Sequence, residues 1–466
     1  MDYDVIVLGL GPGGEEVAGS LAAAGQSVLG VDERLVGGEC PYFGCIPSKM
    51  VLRGAEVLAE SRRVPLLSGQ SSDEPDFGQV AKRISDEATD DWNDQVAVDR
   101  MVGKGVTFAR TSGRLAGRAD DGRLRVEVGG DTHTAARVVV ATGTAPALPP
   151  IDGLADLPRG VENLVWTNRE ILRAKVAPAS VVVIGGGAIG CELAQGMSRF
   201  GVAVTVIESA PHLLMPEEPE AGAVIAEVFE RDGITVRQGV GVQRVAAGGE
   251  GVIVTLADGS TATGEKLLVA AGRKPNLDAI GLDTVGLDPS AKHLDVDEHM
   301  RVLRDDAPVK GVYAVGDITG RGAFTHVAVW QARVLEAHLQ GKAEPYGGYH
   351  GLAWATFTEP EVGRVGLTEA QARDKGLSVR VGVQQISSNS RGWIHGPGND
   401  GFLKVVEDAD RGVLVGATAA SPYGGELLGM LTLAVHAEVP VATMLTMHYA
   451  FPTLHRGVLE ALQALA

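Results

Sequence analysis

Two cysteines five residues apart, Cys40 and Cys45, bracket the run Cys-Pro-Tyr-Phe-Gly-Cys, and Ile46-Pro47-Ser48-Lys49 follows at once. That spacing is about one and a half helical turns, so the thiols can pair if the first lies on a distorted opening turn. The run follows a glycine-rich strand-turn-helix unit, the kind of turn at which a nucleotide's phosphates bind. A thiol pair beside a nucleotide site points to electrons passing through sulfur. A lone CxxxxC carries little weight; its surroundings carry the reading here. Lys49, four residues past Cys45, and Glu192, just after a second glycine turn, are charges able to serve that chemistry. Each alone reads as a solvated surface charge. Together they can form a cross-domain pair that holds a cation beside the cofactor and the thiolate. Cys191, next to Gly190 at a helix start, reads as a small buried packing residue.

The elements that must position these groups come as two similar units. An apolar strand from Asp4, the turn Gly9-Leu10-Gly11-Pro12-Gly13-Gly14, a helix from Glu15 to Ala24 and a strand from Ser27 closed by Asp32 make a βαβ unit. A second copy has the strand Val181–Ile184, the turn Gly185-Gly186-Gly187-Ala188-Ile189-Gly190, a helix from Cys191 to Phe200 and a strand ending at Glu208. In each turn the first glycine makes the bend, the second lets pyrophosphate approach the backbone, and the third lets helix pack on strand. These are Gly9, Gly11 and Gly14, then Gly185, Gly187 and Gly190. Asp32 and Glu208 close the following strands, where a carboxylate accepts hydrogen bonds from an adenosine ribose. A carboxylate at 208, with no arginine in Ser209-Ala210-Pro211-His212, favours NADH over NADPH.

The first fold is expected to be interrupted. A strand Arg137–Ala141 runs into Thr142-Gly143-Thr144, and Pro146, Pro149 and Pro150 stiffen a link to the second fold. The strand Gly311–Val315, ending in Gly316-Asp317, returns to the first, so Asp317 reads as a contact to a flavin's ribitol chain. Past residue 346 the pattern becomes α+β, with no glycine fingerprint. The expected fold is α/β: two Rossmann-like dinucleotide-binding domains plus a C-terminal α+β dimerisation domain. The expected boundaries are 1–148 and 277–345 for the first dinucleotide fold, 149–276 for the second, and 346–466 for the end domain.

Composition excludes other classes. The formal charge of −18 repels nucleic acid and anionic lipid. No apolar stretch spans a membrane unbroken, and no targeting segment opens the chain, so a cytoplasmic protein is expected. Three cysteines are too few for a disulfide scaffold, and no metal site is expected.

Taken with Gly272-Arg273-Lys274-Pro275-Asn276 and Glu359-Pro360-Glu361-Val362, these motifs resemble the pyridine-nucleotide disulfide oxidoreductases, the flavoprotein family of dihydrolipoamide dehydrogenase, glutathione reductase and mercuric reductase. The resemblance covers almost the whole chain. It implies FAD on the first fold and NAD(H) on the second, a homodimer, a redox-active Cys40–Cys45 disulfide, Cys45 as the charge-transfer thiol and Cys40 as the thiol that exchanges with substrate. It also implies Lys49 and Glu192 as the ion pair near the flavin, and Gly143, Gly272 and Asp317 as cofactor contacts.

The chain departs from the pattern at its end. Disulfide-reducing members carry a His-Pro-Thr motif with a glutamate five residues after the histidine, supplied by the partner subunit as general base and acid. Here Phe451 precedes Pro452-Thr453, and Arg456 stands at the glutamate position. Phenylalanine moves no proton, and arginine has no acceptor to orient an imidazole. A C-terminal cysteine pair of the mercuric reductase kind is absent. The expected acceptor is therefore a small molecule that needs no strong proton transfer: a quinone, another electrophile or a specialised disulfide. One alternative is a dihydrolipoamide dehydrogenase-type enzyme with His448 or Tyr449 as replacement acid; His455 reads as a surface or interface histidine. Another is a low-turnover flavin module for redox sensing.

Overall fold

The computed structural model describes residues 1–249, 251–342 and 348–466. The chain divides into two compact units. One comprises the described residues of Met1–Pro47, Arg83–Ala147 and Arg273–Tyr346, and the other those of Ser48–Lys82, Leu148–Gly272 and Gly347–Ala466. The segment Ser48–Lys82, expected within the first domain, groups with the second unit. The boundary expected at 345/346 lies outside the described residues.

The first unit is built on the strands Asp2–Leu8, Val28–Asp32, Thr107–Arg110, Asp131–Val140 and Ala307–Ala314. Spatially they run 307–314, 131–140, 2–8, 28–32, 107–110, all parallel, with Arg301–Arg304 antiparallel on the outer edge. Val5, Ile6 and Val7 are fully buried and pair with Val28, Leu29 and Gly30 on one side and Arg137, Val138 and Val139 on the other. A parallel strand covered on both faces needs such a continuous apolar run. The strands Gly113–Arg118 and Leu124–Val128 extend Asp131–Val140 as an antiparallel ribbon.

The second unit holds a parallel sheet, a three-stranded antiparallel sheet of Val242–Gly248, Gly251–Leu256 and Thr261–Gly264, and a larger antiparallel sheet. The parallel order is Thr235–Gln238, Ala203–Glu208, Ser180–Ile184, Lys266–Val269, Val165–Trp166. The order in the larger antiparallel sheet is Ala353–Thr356, Glu361–Gly366, Val413–Ser421, Phe402–Asp408, Val379–Gln385. The helix Gly424–His436 carries Leu427, Leu428 and Leu431 into a core with Val365, Leu403 and Ala417. Buried charge fastens this region to the residues after Glu208. Arg364 pairs with Glu217 at 2.9 Å, both 5% exposed, and Lys404 gathers Glu218, Glu220 and Glu369 within 3.0 Å. Breaking one such pair strands a buried charge.

In the first unit, helix Thr325–Leu339 packs on helix Pro12–Ala23, and a Cβ on Gly13 would stand 3.1 Å from the Ala328 carbonyl. Glu336 lies in this packing with one carboxylate oxygen buried and unpaired, and burial raises its carboxyl to about 7. A raised folded value means the folded state holds the proton longer than the unfolded chain, so stability falls as pH rises from about 4.5 to about 7. Replacing Glu336 with Gln removes this loss. Thermal unfolding at pH 8 is expected to show the variant more stable by about 1–2 kcal/mol, discounted for screening, with the difference vanishing below about pH 4.

Candidate functional site

Cys40 is the second residue of the short helix Glu39–Phe43, and Cys45 the first of the long helix Cys45–Leu67. Gly44 breaks the two with φ −140° and ψ −115°. A Cβ there would lie 3.2 Å from the Glu39 carbonyl, a tight approach, and 3.6 Å from the Cys40 Cα, an ordinary contact, so the chain folds closely over Cys40 at a glycine. The distorted opening turn required by the cysteine spacing is thus a break between two helices. Cys40 is half-buried and Cys45 exposed. The Cys45 Sγ lies 3.5 Å from the Thr325 Oγ1, at the first residue of Thr325–Leu339. Phe324, at the N-cap, offers no side-chain cap, and the positive end of a 15-residue helix lies there. Sequence reading missed Thr325; its signal was a hydroxyl one residue inside a helix start, where the cap position itself holds phenylalanine.

The two glycine turns are built alike. Gly9 has φ +92° and Gly185 φ +109°, and a Cβ on either would meet a carbonyl at 2.4 Å, of Ala141 and Ala270 respectively. A Cβ on Gly14 would stand 2.0 Å from the Gly9 carbonyl, and one on Gly190 1.9 Å from that of Gly185. Gly11 and Gly187 meet nothing within 4 Å. Their missing side chains leave room above the helix starts, and neither Gly11 nor Gly187 caps its helix with a side chain. The acids repeat the symmetry. Asp32 accepts from the Leu10 and Arg34 N–H groups, each at 2.7 Å, and Glu208 from Gly186 at 2.6 Å and Ala210 at 2.7 Å. Each carboxylate braces its own glycine turn. Burial raises the Asp32 carboxyl, against these hydrogen bonds.

Asp317 opens a short 3-10 turn and accepts from the Thr144 hydroxyl at 2.7 Å. That hydroxyl accepts from Arg273 Nε at 2.7 Å, and Arg273 reaches Glu39 at 3.5 Å, so a polar chain links Asp317 to the residue before Cys40. Asn276 donates to the Thr142 carbonyl and, through its backbone, to that of Gly143, which has φ +61°. Gly272 has φ +115° with open space beside it. The Thr142 hydroxyl is buried with no hydrogen-bond partner. An orphan hydroxyl, two open helix starts and paired acids fit two dinucleotides of the FAD and NAD(H) kind.

Lys49 and Glu192 meet at 2.7 Å, with Glu192 5% exposed. Both belong to the second unit, so the expected cross-domain pair is an ion pair within one compact unit. The reason is local: the Cys45–Leu67 helix joins that unit from Ser48 onward. Cys191 is buried, as expected of a packing residue, and burial pushes its thiol far up.

Near the C-terminus, Phe451 is 68% exposed and the Arg456 guanidinium lies 5.6 Å from its ring centroid. The Tyr449 hydroxyl is buried and donates to the Met444 carbonyl at 3.1 Å; burial raises its ionisation further. It is a core residue and unsuited to proton transfer. His448 is exposed, and His455 Nε2 lies 3.5 Å from the Thr453 hydroxyl. Among the described residues no cluster of three or more His, Cys, Asp or Glu could hold a metal ion, and no helix is long and apolar enough to cross a membrane.

Two braced glycine turns and a cysteine pair at a helix break thus lie in one chain. The chain belongs to the pyridine nucleotide-disulphide oxidoreductase family, whose profile matches residues 3–332, with its dimerisation domain matching 352–462. It is similar to the dihydrolipoyl dehydrogenase of Thermus scotoductus, 33% identical over 99% of this chain and 97% of that one. It is 32% identical to the Mycobacterium tuberculosis dihydrolipoyl dehydrogenase over 99% and 98%. Among solved structures, LpdA of M. tuberculosis superposes with a TM-score of 0.84 at 27% identity, covering 98% of both chains. The HOCl-induced flavoprotein disulfide reductase RclA of Escherichia coli shares the fold, with a TM-score of 0.83 at 22% identity over 99% of both. The chain is thus an FAD- and NAD(H)-dependent oxidoreductase, with the α/β fold and C-terminal dimerisation domain expected from its sequence.

Thr325 yields a direct test. A hydroxyl hydrogen bond favours the thiolate over the thiol. Replacing Thr325 with Val is expected to move the thiolate signal of Cys45 to higher pH, and Ser to restore it. The readout is the pH dependence of the long-wavelength thiolate–flavin absorption in the reduced enzyme. An unchanged profile in the Val variant refutes the role.

Proposed function

We propose that this enzyme carries reducing equivalents from NADH to Cys40 and on to a small acceptor that needs no enzyme-borne general acid: a quinone, another electrophile or a specialised disulfide. The observation that carries the proposal is the segment 449–456, where an exposed Phe451 ring under the Arg456 guanidinium stands in place of an imidazole and its carboxylate. Bound flavin supplies the two-electron chemistry that links a reduced nicotinamide to a disulfide. Gly9, Gly11, Gly14, Asp32, Gly143 and Asp317 would hold FAD, and Gly185, Gly187, Gly190, Glu208 and Gly272 would hold NADH. Lys49, fixed by Glu192, would supply the cation that the family resemblance assigns to hydride transfer. Cys45, beside Thr325 and an uncapped helix start, is favoured as thiolate. Cys40 meets the acceptor, and protons come from water rather than from a histidine. The pairing of two chains through the dimerisation domain would close the site.

An acceptor panel under NADH tests this. Quinone reduction is expected to exceed lipoamide reduction by at least about 10²-fold, the usual worth of a general acid. Efficient lipoamide or glutathione turnover would sink the proposal.

A second reading, dihydrolipoamide oxidation with a replacement acid, is favoured by the names of the relatives at 32–33% identity. His448 is then the remaining candidate of the two, since the Tyr449 hydroxyl is engaged in the core. This reading requires rapid ping-pong turnover with dihydrolipoamide that His448→Ala abolishes.

A further inference from the structure

We propose that Phe357 is a positioning residue that holds both members of the Lys49–Glu192 pair, the ring seating the ammonium and the backbone N–H seating the carboxylate. The inference rests on the reading above that this pair serves hydride transfer. The two Glu192 oxygens are divided. Oε2 takes the Lys49 ammonium at 2.7 Å, and Oε1 accepts the Phe357 N–H at 2.9 Å. The ammonium has three donors to place. One goes to Glu192, one to the Ser48 hydroxyl at 3.3 Å, and the Phe357 ring centroid lies 4.6 Å from the nitrogen. A ring face at that distance attracts a cation, more strongly where water is excluded. Glu192 is 5% and Ser48 7% exposed, so the carboxylate end of the pair is shielded, while the Lys49 side chain keeps 35% of its surface open to solvent.

The segment bearing Phe357 is itself fixed to the helix that bears Glu192. Glu192, Gln195 and Arg199 lie at i, i+3 and i+7 on helix Ala188–Arg199, all at most 5% exposed. That spacing places them on one face. Gln195 accepts from the Glu359 N–H at 2.7 Å and donates to the Glu359 carbonyl at 2.9 Å. Arg199 and Arg63 both bind the Glu359 carboxylate. Residues 357–359 are therefore clamped to the helix by a buried polar stripe, and the ring cannot drift from the ammonium. The ring also reaches the start of helix Gly424–His436, with Cε1 3.9 Å from where a Cβ on Gly425 would stand, an ordinary contact distance. A packing residue would need only apolar bulk, which leucine supplies. The cation seat needs a π face, and that difference is measurable.

The test uses the FAD-loaded enzyme with two readouts: anaerobic stopped-flow reduction by NADH, and the peptide-resolved rate at which an amine reagent labels Lys49 at fixed pH. Phe357→Leu is expected to slow reduction about 2- to 30-fold and to speed Lys49 labelling, while Phe357→Tyr stays close to wild type. Ring-fluorinated phenylalanine at 357 keeps the shape and removes the negative face, so it covers the case in which the leucine variant misfolds. It is expected to slow reduction in proportion to fluorination. Lys49→Met separates the two claims. If that variant reduces as fast as wild type, the role of the pair falls. If it is slow while the leucine and fluorinated variants match wild type in both readouts, the role of Phe357 alone is overturned.

Discussion

Installing histidine at 451 together with glutamate at 456 (F451H/R456E) is expected to raise dihydrolipoamide turnover roughly 10²-fold and to leave quinone reduction within a few-fold of wild type. The site tolerates the change. Phe451 is 68% exposed, so the ring gives up little burial on becoming an imidazole. Arg456 opens helix Arg456–Gln463, where a carboxylate at the first position meets the positive end of the helix. The substitution trades a 3.9 Å attraction between Arg456 and Glu460 for a like-charge pair at i, i+4, a cost of a few tenths of a kcal/mol. The dipole gain offsets a cost of that size. The single F451H variant should gain far less, because an imidazole facing Arg456 has no acceptor to fix its tautomer and carries a cation beside it. Steady-state rates with dihydrolipoamide and NAD⁺, compared across the two singles and the double, measure the coupling. Additive effects would show that the two positions do not act as a dyad, and a fast wild-type enzyme would remove the premise.

What the sequence made legible was whatever depends on local backbone chemistry. The glycine turns, the acids that end the second strands and the cysteine run were readable because each rests on contacts within a few dozen residues. The Gly14–Gly9 and Gly190–Gly185 approaches at about 2 Å from an added Cβ are what GxGxxG means sterically. Two ribbons were missed although their turns were visible. Asp121-Gly122 joins Gly113–Arg118 to Leu124–Val128, and Asp258-Gly259 joins Gly251–Leu256 to Thr261–Gly264. Asp-Gly between alternating residues is a strong hairpin signal that went unused. Other misses were not readable in principle. Thr325 stands 280 residues from Cys45, and Phe357 165 residues from Glu192, so only the tertiary fold relates them. The polar stripe Glu192, Gln195, Arg199 did carry a trace: three long polar residues at helical spacing on a helix otherwise made of small and apolar residues. Such a stripe states that a polar partner must exist but not which one. Tyr449 shows the opposite failure, a residue nominated for chemistry by its neighbours in sequence and claimed by the core in space.

The cysteines carry the other large effect, and their two environments make it asymmetric. Cys40→Ser is expected to abolish reduction of every acceptor that the enzyme serves through sulfur, yet to leave NADH-driven flavin reduction intact. The Cys45 thiolate, with no neighbouring thiol left to oxidise it, should show the long-wavelength flavin band permanently. Cys45→Ser should lose that band altogether, keep flavin reduction, and lose acceptor turnover because Cys40 is then cut off from its electron supply. The difference follows from placement. Cys45 opens a long helix beside Thr325 and an uncapped helix start, a setting that favours thiolate, whereas Cys40 sits half-buried in the five-residue helix before the Gly44 break. Anaerobic titration of both variants with NADH, read between the flavin maximum and the long-wavelength band, distinguishes them. Coupling the same samples to a quinone then asks where electrons leave. Quinone reduction that survives in Cys40→Ser would place the exit upstream of sulfur and refute Cys40 as the donor. Loss in both variants, with flavin reduction preserved, would make the thiol pair the only exit, and the lack of an acid beside it would then decide which acceptors can use it.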